Sequence, residues 1–193
     1  PKFRIDGHTI KDSSEHLRVN CRSGFKKLNL KDRLLDQPII LDKYYNRIKH
    51  ELGVFEIAGI SSYFLIVQDL IRFSHASGVP ADVRGSSTGC MISYLLGISS
   101  MDPMNPDSTI EYSPERELPF ERFYNEGRNT MGNISLADID IDIPPNFRDR
   151  LISYIKHKYG SECVGHIITH SKFKAKGAIK EVFRLTKPVP NYF

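Results

Sequence analysis

An α+β pattern, mostly helix with two short strands, is read from this chain of 193 residues on three observations. Several segments carry apolar residues at helical spacing, residues 137–143 alternate between aspartate and isoleucine, and an apolar run at 163–169 reads as a further strand. With 40% hydrophobic and 26% charged residues, the chain has material for one good core and is not disordered.

Taken in order, Ser13 or Ser14 can cap a helix reaching about Lys27. Pro38 opens a longer helix in which Ile40, Tyr44, Ile48 and Phe55 recur at near-helical spacing. Both read as scaffold. Ser61 and Ser62 begin a third helix, whose buried stripe is Phe64, Val67, Ile71 and Phe73 and whose end is marked by Gly78-Val79-Pro80. Its aromatics read as core rather than as base-stacking groups. A turn then leads into Arg84-Gly85-Ser86-Ser87-Thr88-Gly89 and a helix over 91–96, followed by a proline-punctuated, ordered excursion over 99–118. Pro144-Pro145 stops the aspartate strand. Asn146 then caps a helix through Lys158 with Ile152, Ile155 and Tyr159 inward, the 163–169 strand follows, and a last helix covers 173–185.

The aspartate strand carries the most chemistry. Side chains alternate along a strand, so Asp138, Asp140 and Asp142 share one face while Ile139, Ile141 and Ile143 pack on the other. Same-face carboxylates about 7 Å apart repel unless they share a cation. Magnesium takes oxygen ligands and keeps positions open for phosphates, so the pattern points to metal-dependent phosphoryl or nucleotidyl transfer. An edge strand with a merely polar face is the alternative, and the poor strand propensity of aspartate weighs against it. The second element is the loop at 84–89. Small residues let a backbone approach an anion, N–H groups at the following helix start point toward it, Ser86, Ser87 and Thr88 add hydroxyls, and Arg84 adds a fork suited to phosphate. It matches neither the Walker pattern nor the dinucleotide fingerprint.

Charge is unevenly distributed. Residues 1–142 hold 17 Lys/Arg against 20 Asp/Glu, whereas residues 143–193 hold 10 against 3, so the carboxylate strand runs into a basic tail. That is the footprint of a polyanion lying across the site, with Lys172, Lys174, Lys176 and Lys180 as candidate DNA-binding residues and His157, His166 and His170 in the same stretch. A solvated lysine face is the competing reading. No apolar run approaches ~18 residues, so neither a membrane span nor a signal peptide is expected. Cys21, Cys90 and Cys163 lack paired spacing, which points to reduced thiols in a cytoplasmic protein rather than a disulfide frame or zinc site. A chain starting at Pro1 and ending beyond Lys187-Pro188-Val189-Pro190 reads as part of something longer.

Gly59-Ile60-Ser61-Ser62-Tyr63-Phe64-Leu65-Ile66-Val67, Arg84-Gly85-Ser86, Tyr94-Leu95-Leu96-Gly97-Ile98, Glu121-Arg122-Phe123, Asp138-Ile139-Asp140-Ile141-Asp142 and Ile167-Ile168-Thr169 follow one another in this order. In that order the chain resembles the alpha subunit of bacterial DNA polymerase III, the family C replicative polymerases, over residues 12–185. The resemblance implies a helix-rich palm with a small mixed β-sheet, similar to the nucleotidyltransferase palm of DNA polymerase beta. It makes 1–170 the palm and 171–193 the beginning of the thumb.

Carried over by position, the resemblance makes Asp140 and Asp142 ligands of a two-magnesium site, with Asp138 shaping it. Arg84, Gly85 and Ser86 become contacts to the dNTP triphosphate and Arg122 a further arginine near the site. The implied function is DNA-directed DNA polymerase activity, transferring a nucleotide from dNTP to a primer 3′-hydroxyl. The implied partners are primer-template DNA and the remaining polymerase domains or subunits, with no membrane. The third metal-binding aspartate of the family is not in this chain, so the isolated stretch is not expected to extend primers. Ala81-Asp82-Val83 replaces the family's glycine-rich lead into Arg-Gly-Ser and brings a negative charge near the phosphate loop. Alternatives are a non-catalytic nucleic-acid-binding or assembly subunit that keeps the palm scaffold, or a nucleotidyltransferase acting on another acceptor.

Overall fold

A computed structural model describes residues 4–5, 8–9, 12–107, 111–124, 137–165, 167–168, 172 and 174–186. Two short strands, β1 (Arg4–Ile5) and β2 (His8–Thr9), form an antiparallel pair ahead of the helices. Helix α1 (Ser13–Lys27) is capped by Asp12, whose Oδ1 accepts from Glu15 N at 2.9 Å, and not by the serines expected to cap it. Those serines are drawn away by α4 (Ser61–Ala76). Ser13 Oγ pairs with Ser62 Oγ at 2.6 Å and Ser14 Oγ with Ser61 Oγ at 3.1 Å, stitching the two helix starts together.

The one-turn helix α2 (Leu30–Arg33) leads to α3 (Pro38–Ala58), which opens on its proline and ends at Gly59 in the left-handed region, φ 66°. Between α1, α3, α4 and the short α5 (Met91–Leu95) lies the core. Leu17, Phe55, Phe64, Leu65, Met91 and Ile92 are fully or almost fully buried there. Phe55 and Phe64 meet at 4.2 Å between ring centroids, and Phe123 joins edge-on to Phe64 at 5.8 Å. From the stripes read on α3 and α4, Tyr44, Phe55, Phe64 and Val67 lie in this core with Ile40 and Ile48 packed against it, while Ile71 is buried outside it and Phe73 is half-buried. That ring stacks on Tyr154 at 3.8 Å instead.

Among the described residues the second sheet is a two-stranded antiparallel pair rather than a mixed sheet. β3 (Asp82–Arg84) pairs antiparallel with β4 (Asp140–Asp142), with Asp82 opposite Asp142, Val83 opposite Ile141 and Arg84 opposite Asp140. Only three residues of the alternating stretch pair, because β3 offers only three partners before Gly85 turns the chain away. After β4 a single-turn 3-10 helix, Pro145–Phe147, precedes α6 (Arg148–Tyr159). Asn146 therefore sits inside that turn and does not cap the helix.

Helix α6 is anchored to α4 by Asp69. Its carboxylate accepts from Tyr154 Oη at 2.9 Å, Tyr159 Oη at 2.9 Å and Lys158 Nζ at 2.6 Å. The strand expected at 163–169 is not formed among the described residues. Ser161–Cys163 is a 3-10 turn, and Ile167 and Ile168 are 94% and 79% exposed. Helix α7 (Ala175–Thr186) closes the described chain and buries no residue. Among the described residues no single helix is long and apolar enough to cross a membrane. All three cysteines are free, Cys21 and Cys90 buried and Cys163 exposed.

Candidate active site

The site is built on the β3–β4 pair and the turn after β3. Alternation on the aspartate stretch holds: Asp138, Asp140 and Asp142 are exposed, while Ile139 and Ile141 pack against the core. Asp138 precedes the paired residues, held there because Tyr63 Oη donates to the Ala137 carbonyl at 3.0 Å. Burial, together with the nearby charge of Asp138, pushes the Tyr63 hydroxyl up to about 12. The register sets Asp140 against the start of the turn at 85–89. A Cβ on Gly85 would stand 3.8 Å from Asp140 Oδ2, and Gly85 takes φ +74°, which favours glycine at this corner.

Arg84 turns onto the strand rather than into the loop, its Nε donating to Asp142 Oδ1 at 3.1 Å. Both side chains are about two-thirds exposed, at 68% and 63%. An exposed pair of this kind is worth well under about 1 kcal/mol, so a stronger ligand can separate it. Asp82 faces elsewhere. Its Oδ1 accepts from Val83 N at 2.8 Å and Ser100 N at 3.2 Å, and its Oδ2 from Ser100 Oγ, so its charge is held by the 100 segment.

The loop itself is a 3-10 turn, Gly85–Gly89, and it revises two expectations about donors. Ser87 Oγ donates to Arg84 O at 3.0 Å and Thr88 Oγ1 to Gly85 O at 2.8 Å, so both hydroxyls close the turn. Ser86 alone of the three hydroxyl residues stays exposed without a bond to the described residues. The start of α5 is also occupied. Glu51, fully buried on α3, accepts from Met91 N at 3.1 Å and Ile92 N at 3.0 Å, taking the place an anion would have at that helix end. Burial drives the Glu51 carboxyl above the ordinary carboxylate range, against the opposing pull of Arg47.

A cleft of 340 Å³ opens over the turn, lined by Gly85, Ser86, Thr88, Gly89, Leu118, Pro119 and Arg122. Arg122 therefore comes to the same cavity as Gly85 and Ser86 from more than thirty positions along the chain, exposed in its own 3-10 turn, Phe120–Arg122. A second, more open depression of 400 Å³ on the other flank takes in Asp82, Asp142 and His75. Among the described residues no cluster of three or more His, Cys, Asp and Glu side chains is placed to hold a metal. Asp140 and Asp142 are two hard oxygen donors on one exposed face, which suits a divalent ion completed by other oxygen ligands. Lys172, Lys174, Lys176 and Lys180 are exposed on and just before α7. His166 and His170 lie outside the described residues.

The family model described as the bacterial DNA polymerase III alpha NTPase domain matches residues 15–191. The chain belongs to the bacterial DNA polymerase III alpha family. Three relatives, each named DNA polymerase III subunit alpha, are similar along most of this chain. That of Buchnera aphidicola is 37% identical over 185 residues, 95% of this chain and 14% of the relative. That of Ureaplasma parvum is 38% identical over 175 residues, 90% of this chain and 16% of the relative. That of Halalkalibacterium halodurans is 34% identical over 192 residues, 99% of this chain and 15% of the relative. The chain spans about one seventh of the length of these relatives.

Two residues behind the cleft fall outside the sequence reading, Arg47, which bonds the carbonyls of Gly89 and Leu118 in its walls, and Glu51, which bonds Arg47. Arg47 and Glu51 lie on α3, taken there as scaffold, and one turn apart on the face that also carries Tyr44 and Phe55. Charged residues falling on an apolar helical stripe were the available signal, since a charge is buried only with a partner.

Proposed function

We propose that this segment forms the nucleotide-binding and metal-binding part of a replicative DNA-directed DNA polymerase. The observation that carries the reading is the register of β3 on β4. It brings the carboxylate of Asp140 beside Gly85, so that an acidic face and a phosphate-sized cleft share one edge. Asp140 and Asp142 would hold magnesium, and the bound ions would lower the pKa of the primer 3′-hydroxyl and neutralise charge on the phosphates.

The chain's own residues then have separable tasks. Backbone N–H groups of the 85–89 turn and the Ser86 hydroxyl bind triphosphate oxygens, and Arg122 neutralises them from the opposite wall. Arg84, released from Asp142, adds a second guanidinium from the strand side. Lys172, Lys174, Lys176 and Lys180 attract the primer-template phosphates. Division of the chain into a palm over 1–170 and the start of a thumb beyond it belongs to the same proposal. So does a palm of the DNA polymerase beta type, with the third carboxylate supplied by another part of the polymerase.

Titrating dATP into the 193-residue chain with magnesium or manganese tests the reading. Saturable, metal-dependent binding that is lost in Asp140→Ala supports it, with no primer extension by this segment alone. Absence of nucleotide binding at any metal concentration defeats it.

A second reading, a non-catalytic nucleic-acid-binding or assembly segment on the same scaffold, draws support from the ion pair on Asp142 and the hydroxyls of Ser87 and Thr88 already in use. Binding to primed DNA that Asp140→Ala leaves unchanged, without nucleotide affinity, would favour it.

A further inference from the structure

The two walls of the cleft come from distant parts of the chain, the 85–89 turn and the 118–122 segment that carries Arg122. Among the described residues no backbone hydrogen bond joins one wall directly to the other. Arg47 bridges them from below. Its Nη2 donates to the Gly89 carbonyl at 2.9 Å on one wall and to the Leu118 carbonyl at 3.0 Å on the other. Its Nε donates to Glu51 Oε1 at 2.6 Å, and the guanidinium lies 5.7 Å from the centroid of the Phe120 ring. The side chain is only 15% exposed, so it reaches the walls from the protein side and leaves the cleft free. Glu51 in turn holds the first amides of α5, so one buried pair ties α3, the phosphate turn, α5 and the Arg122 segment.

We infer that Arg47 is a positioning residue that sets the spacing between Ser86 and Arg122 across the cleft. The inference rests on that cleft being the triphosphate site proposed above. A rigid planar fork can satisfy two carbonyls and a carboxylate at once, which an ammonium on a flexible stem cannot do with the same geometry. Walls already held at the right separation need no ordering when the anion arrives, and this is the usual source of tight binding at a small polar site. Gly89 fits the same account, because a Cβ there would stand 3.2 Å from the Pro119 carbonyl and press the walls apart.

Two measurements on the 193-residue chain test this with Arg47→Lys, Arg47→Met and the pair Arg47→Met/Glu51→Gln, which leaves no unpaired buried charge. Amide hydrogen exchange is expected to speed up together at 85–89 and 118–122 in all three, with the amides of α6 unchanged. The affinity for dATP with magnesium is expected to fall about tenfold to a hundredfold in proteins that keep their circular dichroism. Lysine, having the charge without the fork, should behave like methionine. A folded variant that binds dATP as tightly as the parent, or that loosens only one wall, overturns the inference. If the parent binds no dATP but both walls still loosen together, the clamp stands and the nucleotide reading of the cleft fails.

Discussion

Gly24 lies in the middle of α1, where ordinary helix propensity says alanine should be better by about 1 kcal/mol. The structure reverses that sign. A Cβ at Gly24 would fall 1.8 Å from the Leu95 carbonyl oxygen and 2.7 Å from its carbon, at the close crossing of α1 and α5. Backbone cannot rotate out of the way as a side-chain tip can, so the helices would have to part by about 1 Å or more in a close-packed core. Overpacking of this sort costs about 3 kcal/mol, leaving a net loss of about 2 kcal/mol after the propensity gain. In a chain of this size that is a fall of about 4 to 8 °C in Tm.

Gly53, in the interior of α3, is the internal control. A Cβ there meets nothing within 4 Å, so Gly53→Ala should stabilise by about 0.5 to 1 kcal/mol. Urea unfolding of both variants, read by far-ultraviolet circular dichroism, gives the comparison. If Gly24→Ala is as stable as the parent, the α1–α5 crossing is not as close as described and the reasoning fails.

Asp69→Ala removes the acceptor shared by Tyr154, Lys158 and Tyr159, and should cost about 2 to 3 kcal/mol by freeing α6 from α4, seen as faster amide exchange confined to 148–159. Native alkylation followed by intact mass should label Cys163 first. Burial pushes the Cys21 thiol up to about 12 and raises Cys90 well above its usual range, so both should react only after unfolding.

Tyr63 keeps its proton in the folded state to about pH 12, whereas the unfolded chain releases it near 10. Its stabilising contribution is thus complete below pH 10 and is lost as pH rises from 10 to 12. Tyr63→Phe should flatten that part of the stability–pH curve, and an unchanged slope would mean the hydroxyl is not buried. If the lysines near α7 meet DNA, neutralising Lys176 should lower the salt slope of binding by about one unit, and a slope unaltered by the change would return them to solvent.

Much of the helical frame was legible because it depends on short-range pattern. Pro38 with the spacing of Tyr44 and Phe55, and the stripe of Phe64, Val67 and Ile71, mark α3 and α4 through local backbone preference and helical period alone. The aspartate face was legible for the same reason, since a period of two needs no knowledge of the partner strand. Capping was less so: Asp12 was passed over for Ser13 and Ser14, whose hydroxyls proved to belong to a contact with α4 some 47 to 49 positions away. The strand expected at 163–169 does not form among the described residues there, because an apolar run makes a strand only where the fold brings it alongside a partner, and no local pattern specifies that.

The alternating carboxylates, the glycine at the loop corner and Arg84 and Arg122 can be picked out as candidates from the chain alone, because they depend on residue type and near neighbours. How they combine is set by the packing of the chain. It set Asp140 beside Gly85, placed Arg84 on Asp142, turned Ser87 and Thr88 inward, filled the end of α5 with Glu51, carried Arg122 to the cleft and set Arg47 behind its walls. Each of these is a contact between segments far apart in sequence, fixed by how the core packs and by which buried polar groups must find partners. No local pattern encodes such a choice.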